Sequence, residues 1–244
     1  MKKPVFALLR TFLLAALVPA LSLSLVACSP DDLGGADNDS TSVNSGVVDK
    51  NEKPSDGTIV VGEAVDLGLS VKWASCNVGA ESPEEYGDYF AWGKTTTKSS
   101  YKSSTSVTYG LSISELKSRG IIGSDGNLTA AYDAATANWG GNWRMPTLDE
   151  IKELVNNCIW EWTTQNGVKG YKVTGHNGNS IFLPAAGCRH DTSLDDAGSY
   201  GGYWSATPYS DSGYAYCLSF GSDGYDWSDA RRLYGLTVRP VSDK

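Results

Sequence analysis

Residues 146–183 read PTLDEIKELVNNCIWEWTTQNGVKGYKVTGHNGNSIFL, and this stretch decides the fold class. It begins as a helix. Pro146 precedes Thr147, and Thr147 with Glu150 makes the Thr-x-x-Glu pattern of a capping box. In that pattern the hydroxyl accepts from a free N–H of the first turn while the carboxylate reaches back to the threonine N–H. Ile151, Leu154, Val155 and Cys158 follow at i, i+3, i+4 and i+7, so the spacing predicts a helix over 147–158 with one buried stripe. Asp149 and Glu150 stand where the helix N-terminus favours negative charge. The stretch ends as strands. Asn166-Gly167 tolerates the positive φ angles of a tight hairpin. A strand over 168–174 follows it, and His176-Asn177-Gly178 turns the chain into another at 180–183. A capped helix running into antiparallel hairpins predicts an α+β domain of short antiparallel strands.

Working outward, weaker helical patterns cover 112–119 and 129–137, and short strand patterns cover 203–206, 214–220 and 236–241. Long Gly-rich loops separate them. Strands and helices do not alternate as in a parallel α/β sheet, and no repeat of 20–50 residues is present. Every Trp and Tyr of the chain stands at or after Trp73, so the aromatic core belongs to a single domain placed at 58–244.

The N-terminal quarter has a different chemistry. Lys2, Lys3 and Arg10 precede residues 11–27, which carry no charge, and Leu25-Val26-Ala27-Cys28 follows the pattern of a bacterial lipobox. Seventeen uncharged residues are short for a bilayer span and fit a signal peptide. Residues 1–27 are therefore read as a lipoprotein signal peptide and Cys28 as the lipidation site, with a plain transmembrane helix as the alternative. Cleavage removes three positive charges, taking the net charge from -8 to -11. A lipid on Cys28 anchors the chain to a membrane without spanning it. Residues 28–57 are rich in Ser, Gly, Asp and Asn and hold no aromatic residue, the composition of a disordered acidic tether. Within it, Asp31-Asp32 resembles the surface-export signal of Bacteroidota lipoproteins, and Asp39-Ser40-Thr41 resembles their O-glycosylation motif. The expected location is the outer membrane, lipid-anchored, at the cell surface.

Composition and motifs exclude several function classes. An acidic chain without Lys/Arg clusters lacks the phosphate contacts of a nucleic-acid binder. Two histidines are present, His176 in a turn and His190 in Arg189-His190-Asp191. The latter is a base paired with a carboxylate or part of a surface loop. There is no His-Glu-x-x-His metal helix, no Gly-x-Ser-x-Gly elbow and no phosphate loop. Asp195-Asp196 is a calcium-binding pair or a solvated loop. No cofactor is expected, and neither is catalysis. Cys76, Cys158, Cys188 and Cys217 remain beside Cys28; an oxidising compartment permits disulfides. A Cys76–Cys158 contact or bridge is expected, with buried free thiols as the alternative.

Six segments together carry a resemblance: VDLGLSVKWA (65–74), EYGDYFAWG (85–93), WRMPTLDE (143–150), IFLPAAG (181–187), YWSAT (203–207) and VRPV (238–241). Over roughly 60–241 the chain resembles the Fibrobacter succinogenes major paralogous domain family, found in surface lipoproteins of gut Bacteroidota. The resemblance implies a C-type-lectin-like fold, akin to the formylglycine-generating-enzyme group. Members of that group act through copper-binding cysteines, which Cys188 and Cys217 could in principle mimic, but Cys217 matches a mutable position of the variable region below, which counts against a fixed role.

The C-terminal stretch resembles the variable region of a diversity-generating retroelement target protein, in which template Asn codons scatter toward Tyr, Ser, Asp and Gly. Residues 209–234 hold 5 Tyr, 5 Ser, 4 Asp and 3 Gly and no Lys, Glu, Thr, Ile, Val or Asn, a bias that also suits a binding surface. No template Asn survives in this copy. The period of two along 214–220 predicts Tyr216, Leu218 and Phe220 on a core face and Cys217, Ser219 and Gly221 on an outer face. The resemblance marks Trp227, Arg232 and Gly235 as scaffold. The expected ligand-binding residues are Tyr209, Ser210, Cys217, Ser219, Gly221, Asp226, Ser228, Asp229, Ala230, Arg231, Leu233 and Tyr234. The expected function is a surface-anchored lipoprotein whose lectin-like domain binds a variable protein or glycan ligand. A tip subunit of a surface appendage, and an enzyme of the glycan or sulfatase-maturation type, are the alternatives.

Overall fold

The computed structural model describes residues 62–244. The expected signal peptide, Cys28, the tether and residues 58–61 lie outside the described residues. In chain order the elements are β1 (Ala64–Val65), β2 (Lys72–Ala74), β3 (Phe90–Ala91), α1 (Ile113–Ser118), α2 (Ala134–Trp139) and α3 (Leu148–Asn157). Then come β4 (Ile159–Gln165), β5 (Val168–Thr174), β6 (Ser180–Pro184), β7 (Cys188–His190) and β8 (Ser193–Asp195). The last are β9 (Tyr200–Pro208), β10 (Tyr214–Gly221), β11 (Gly224–Arg231), β12 (Gly235–Leu236) and β13 (Val241–Ser242). The strands form four small sheets in the orders β1-β2-β13, β11-β10-β9, β3-β12-β7-β8 and β4-β5-β6. All pairings within the sheets are antiparallel. The α+β class with short antiparallel strands and few helices is what the structure shows. No helix among the described residues is long and apolar enough to cross a membrane.

The helix of the deciding stretch forms as its sequence dictates. Thr147 Oγ1 accepts from Glu150 N at 3.3 Å, and the Glu150 carboxylate accepts from Thr147 N at 2.8 Å. The same carboxylate takes both terminal nitrogens of Arg144, at 2.8 and 2.7 Å, which raises the Arg144 pKa. Arg144 also reaches Asp243 at 3.0 Å, so the cap is tied to the end of the chain. Ile151, Leu154 and Val155 are buried, and Cys158 is half-buried at the C-cap. Asn166 and Gly167, at φ 47° and 83°, form the two-residue turn between β4 and β5, the positive angles their side chains allow.

Three expectations need correction. The helix expected over 129–137 divides into a single 3-10 turn at Ala130–Tyr132 and α2. Asp133 ends one and caps the other: its carboxylate accepts from Thr136 N at 2.9 Å and Met145 N at 2.8 Å. The strand expected over 236–241 is two short strands, β12 and β13. Between them the backbone changes partners, with Trp204 N bonding Thr237 O and Val78 N bonding Val238 O. Pro240 has no N–H with which to continue a ladder. The Cys76–Cys158 contact is also corrected. All four cysteines among the described residues are free thiols; Cys76 is buried in one cluster, whereas Cys158 packs against the other.

Those two clusters lie on the two faces of the β9–β10–β11 sheet. Trp204, Ala206, Ala215, Cys217 and Ala230 join one, with Trp92, Trp139 and Leu116. Tyr203, Leu218 and Phe220 join the other, with Ile151, Leu154, Val173 and Leu183. Glycine permits the closest approach between strands: a Cβ on Gly201 would meet the Phe220 ring at 2.1 Å. Leu154, with 0% exposure, lies at the centre of the second cluster. Leu154→Ala should cost about 2–5 kcal/mol through transfer loss and cavity. Thr147→Ala should cost about 0.5–2 kcal/mol through the lost cap. Urea unfolding followed by tryptophan fluorescence measures both, and a change near zero at Leu154 would contradict this packing.

Candidate binding face

The hairpin β10–β11 turns through Ser222 and Asp223 and pairs in register from Gly221↔Gly224 to Tyr214↔Arg231. Tyr214, Tyr216, Leu218 and Phe220 therefore share a face with Tyr225, Trp227, Asp229 and Arg231, by the alternation of an antiparallel ladder. α3 covers only part of that face. Near the turn Phe220 is buried among Trp160, Trp162 and Tyr171, Leu218 is buried in the same cluster as the α3 stripe, and Tyr225 stacks on Trp160 at 4.3 Å. Along β11 and toward the open termini the face is uncovered: Trp227, opposite the buried Leu218, is 43% exposed, Asp229 and Arg231 are exposed, and Tyr214 and Tyr216 are half-buried.

An irregularity in β9 fixes where the cover stops. Cys217 pairs with Trp204 but Ala215 pairs with Pro208, so β9 carries two more residues than β10 over that span. The displaced segment bonds outside its sheet. Ala206 N donates to Pro146 O at 2.7 Å, and Leu148 N donates to Thr207 Oγ1 at 3.0 Å. Ser205 Oγ returns a bond to Tyr216 O at 2.8 Å. The bulge thus receives the start of α3, and Lys152 on the second turn projects its Nζ over the Trp227 ring, 5.5 Å from the centroid. Tyr209 and Tyr216 meet edge to face at 5.1 Å, and Tyr216 meets Trp227 at 6.3 Å. The result is a row of three rings ending in a cation, with Asp149 pairing that cation at 3.0 Å.

The twelve expected binding residues divide over this geometry. Tyr209, Asp229 and Arg231 belong to the aromatic side, and Ser210 is exposed in the turn before β10. Tyr234 follows β11 and packs edge-on against His190 at 5.1 Å. Ser219, Asp226 and Ser228 share the reverse face with Cys217, half-buried, where Ser219 Oγ bonds Tyr200 Oη at 3.3 Å. Gly221 closes the hairpin opposite Gly224. Cys217, Ala230 and Leu233 do not face outward; they are exposed by 0%, 2% and 6%. The expected core roles of Tyr216 and Trp227 are corrected as well, since both stand on the open aromatic row. The physical reason is that this sheet is covered on both sides, so side chains of both parities are buried where a cluster lies over them. Tyr214, Tyr216, Trp227 and Lys152 were missed as surface residues. The missed signal was the row itself, aromatic residues at alternate positions beyond the reach of the helix stripe.

Beneath the open end lies Arg232, 0% exposed. Its Nε donates to Tyr214 O at 2.6 Å. One terminal nitrogen donates to Leu111 O at 2.8 Å, Ser212 O at 3.1 Å and Thr108 O at 3.2 Å, and the other to Tyr209 O at 3.3 Å. The guanidinium also lies 5.0 Å from the Trp92 ring centroid. Burial lowers its pKa to about 10. The sequence reading of Arg232 and Gly235 as scaffold agrees with this packing: a Cβ on Gly235 would meet the Tyr101 ring at 2.6 Å.

The candidate catalytic groups are placed as follows. His190 is exposed against Tyr234, while the Asp191 carboxylate accepts from Ser100 Oγ at 2.9 Å and pairs with Lys102 at 3.1 Å, which holds it below its ordinary pKa. Cys188 and Cys217 are buried, and desolvation pushes the Cys188 thiol up to about 11 and Cys217 higher still. Thiols so raised are protonated at neutral pH and poor nucleophiles. Among the described residues no group of three or more His, Cys, Asp or Glu side chains gathers as a metal site would.

Lysine cannot replace the guanidinium at position 232, because one ammonium cannot reach carbonyls spread around a planar fork. Each buried carbonyl left without a donor costs about 1–3 kcal/mol. Arg232→Lys should therefore lower stability by roughly 3 kcal/mol or more. It should also open the 209–214 turn to limited proteolysis before the rest of the domain; an unchanged cleavage pattern would refute the assignment.

A family model described as a domain of unknown function (DUF8237) matches residues 140–241, the stretch that holds α3, the β4–β5–β6 sheet and the whole candidate face. No curated protein and no solved structure matches the chain.

Proposed function

We propose that the protein is a surface-anchored binding module, lipidated on Cys28, that captures a ligand on the open half of the β10–β11 face. One observation carries this reading. Leu218 and Phe220 are buried, whereas on the same face Trp227 and Arg231 are exposed and Tyr216 is half-buried, so aromatic and guanidinium groups stand open with the Lys152 side chain of α3 at one ring. Such side chains give large contact area at small entropic cost and dominate binding energy where they have been mapped. The C-type-lectin-like fold belongs to the same proposal, supported by the six resembling segments and by small antiparallel sheets joined by long loops. Diversification of the stretch 209–234 is likewise proposed. It is supported by the Tyr, Ser and Asp bias, and by the exposed Ser210, Asp229 and Arg231, which belong to neither buried cluster.

The test separates the two faces of the hairpin. A soluble chain carrying Cys28→Ser is screened on glycan and protein arrays. Trp227→Ala and Arg231→Ala should then reduce the captured signal about tenfold or more while shifting Tm little, because both side chains are substantially exposed. Ser219→Ala and Asp226→Ala on the reverse face should leave capture near the parent level. Equal losses on both faces would refute the assignment.

The anchor is tested separately in cells. Cys28→Ser should abolish incorporation of labelled palmitate and release the protein from the outer-membrane fraction. Labelling and fractionation unchanged in the variant would exclude lipidation at Cys28.

A further inference from the structure

Two Asn-Gly pairs stand in turns among the described residues, Asn166-Gly167 between β4 and β5 and Asn177-Gly178 between β5 and β6. All four residues are exposed. Asn177 is held from both ends of its amide. Its Nδ2 donates to Asp66 O at 2.7 Å, its Oδ1 accepts from Asn179 N at 3.2 Å, and the N–H of Gly178 is bonded to Gly175 O at 3.0 Å. The Asn166 side chain is tied through Nδ2, which donates to the Glu84 carboxylate; Gln165 Nε2 reaches the same carboxylate at 3.3 Å. The β4–β5 ladder closes at Gln165↔Val168, so the Gly167 N–H lies outside it, and a Cβ added at Gly167 would meet nothing within 4 Å. The bonds from Asn166 and Gln165 tie Glu84, in the loop between β2 and β3, to the β4–β5 turn. They also favour its charged form and hold its pKa below the ordinary value. The base of that loop is fixed separately, by Asp88 N on Val78 O at 2.8 Å and Asn77 Nδ2 on Tyr86 O at 2.9 Å.

We propose that Asn166 is a site of spontaneous deamidation, and that its conversion to a carboxylate releases Glu84 and its loop from the β4–β5 turn. The main-chain nitrogen of Gly167 gives up its proton and attacks Asn166 Cγ. The N–Cγ bond forms, the Cγ–Nδ2 bond breaks, and Nδ2 leaves with that proton as ammonia. Water then opens the five-membered imide at either carbonyl, leaving aspartate or isoaspartate; nothing is oxidised or reduced. Glycine favours the attack because no Cβ shields its nitrogen. At Asn177 the same step requires the Gly178 N–H and both ends of the side-chain amide to leave their partners first, so it waits on local opening. The product at 166 can no longer hold Glu84. An amide donates, whereas an ionised carboxylate only accepts, and two like charges in contact repel. The change is irreversible, so older molecules carry one more negative charge and a looser loop. It is independent of what the open face binds.

Peptide mapping by mass spectrometry tests the site. The soluble chain carrying Cys28→Ser is kept folded in mildly alkaline buffer for several weeks, with a second sample in denaturant. In the folded chain the peptide holding Asn166 should gain the mass of an amide-to-acid exchange about tenfold or more faster than the peptide holding Asn177. In denaturant the two rates should converge, because both are Asn-Gly. Equal rates in the folded chain, a faster reaction at Asn177, or no reaction at Asn166 would overturn the site. The release is tested by hydrogen exchange on Asn166→Asp, which tolerates the same positive φ. Amides of residues 82–86 should exchange about fivefold or more faster while the melting curve moves little. Adding Glu84→Gln, which supplies a donor to the new carboxylate, should restore protection. Unchanged exchange in Asn166→Asp, or exchange that stays fast in the double variant, would overturn the release.

Discussion

A charged guanidinium buried without a carboxylate must find main-chain carbonyls, and the open half of this domain is arranged around that requirement. Arg232 gathers carbonyls from Thr108 and Leu111 on one loop and from Tyr209, Ser212 and Tyr214 on another. Leaving such a charge unsatisfied would cost several kcal/mol, so neither loop can depart without exposing the domain to that penalty. The two loops carry Tyr109, Tyr209 and Tyr214, and β11 ends at Arg231, one residue before the buried cation. The neighbouring arginines have opposite fates: Arg231 is the last residue of the strand and exposed, and Arg232 is the first of the turn that follows and buried.

A second buried guanidinium performs the same service at the other junction. Arg239 donates to Asn77 Oδ1 at 2.8 Å, Ser75 O at 2.7 Å, Ala74 O at 3.0 Å and Phe182 O at 2.9 Å. It joins the N-terminal strand region, the β6 strand and the chain's C-terminus. Trp92 and Trp204 add to the closure, their indole N–H groups donating to Ser205 O at 2.9 Å and Phe90 O at 2.7 Å. With four free cysteines among the described residues, it is these buried donors that join segments distant in sequence.

Local signals were legible in the sequence and global ones were not. Thr147, Glu150 and the Ile151/Leu154/Val155 stripe specified α3 because capping and helical period are set within a dozen residues. Asn166-Gly167 specified its hairpin for the same reason. The bias of 209–234 marked the candidate face, and the period of two placed Leu218 and Phe220 in the core but misplaced Tyr216 and Cys217. Parity separates two sets of side chains; it does not say which set another element covers, and here both sets are covered in part. Trp227 is scaffold by the resemblance, yet it stands 43% exposed on β11, where only the Lys152 side chain of α3 lies over its ring. Cys217 falls on the outer face by the period of two and Ala230 among the mutable positions by the resemblance, yet both are buried with Trp204 in the other cluster. Nothing local announced the two extra residues in β9 that place α3 on the sheet.

The β10–β11 hairpin is held at both of its ends. Near its turn, Tyr171 Oη donates to Gly221 O at 3.1 Å and Phe220 sits among Tyr171, Trp160 and Tyr203. At its open termini the Arg232 guanidinium grips the flanking main chain. A ribbon clamped in this way keeps little backbone freedom to lose when a ligand arrives, so the ordering cost that weakens loop-borne sites is small here. Sequence changes along the row should then alter how long a complex lasts more than how fast it forms, and new specificities can arise on the same ribbon without a new fold to stabilise them.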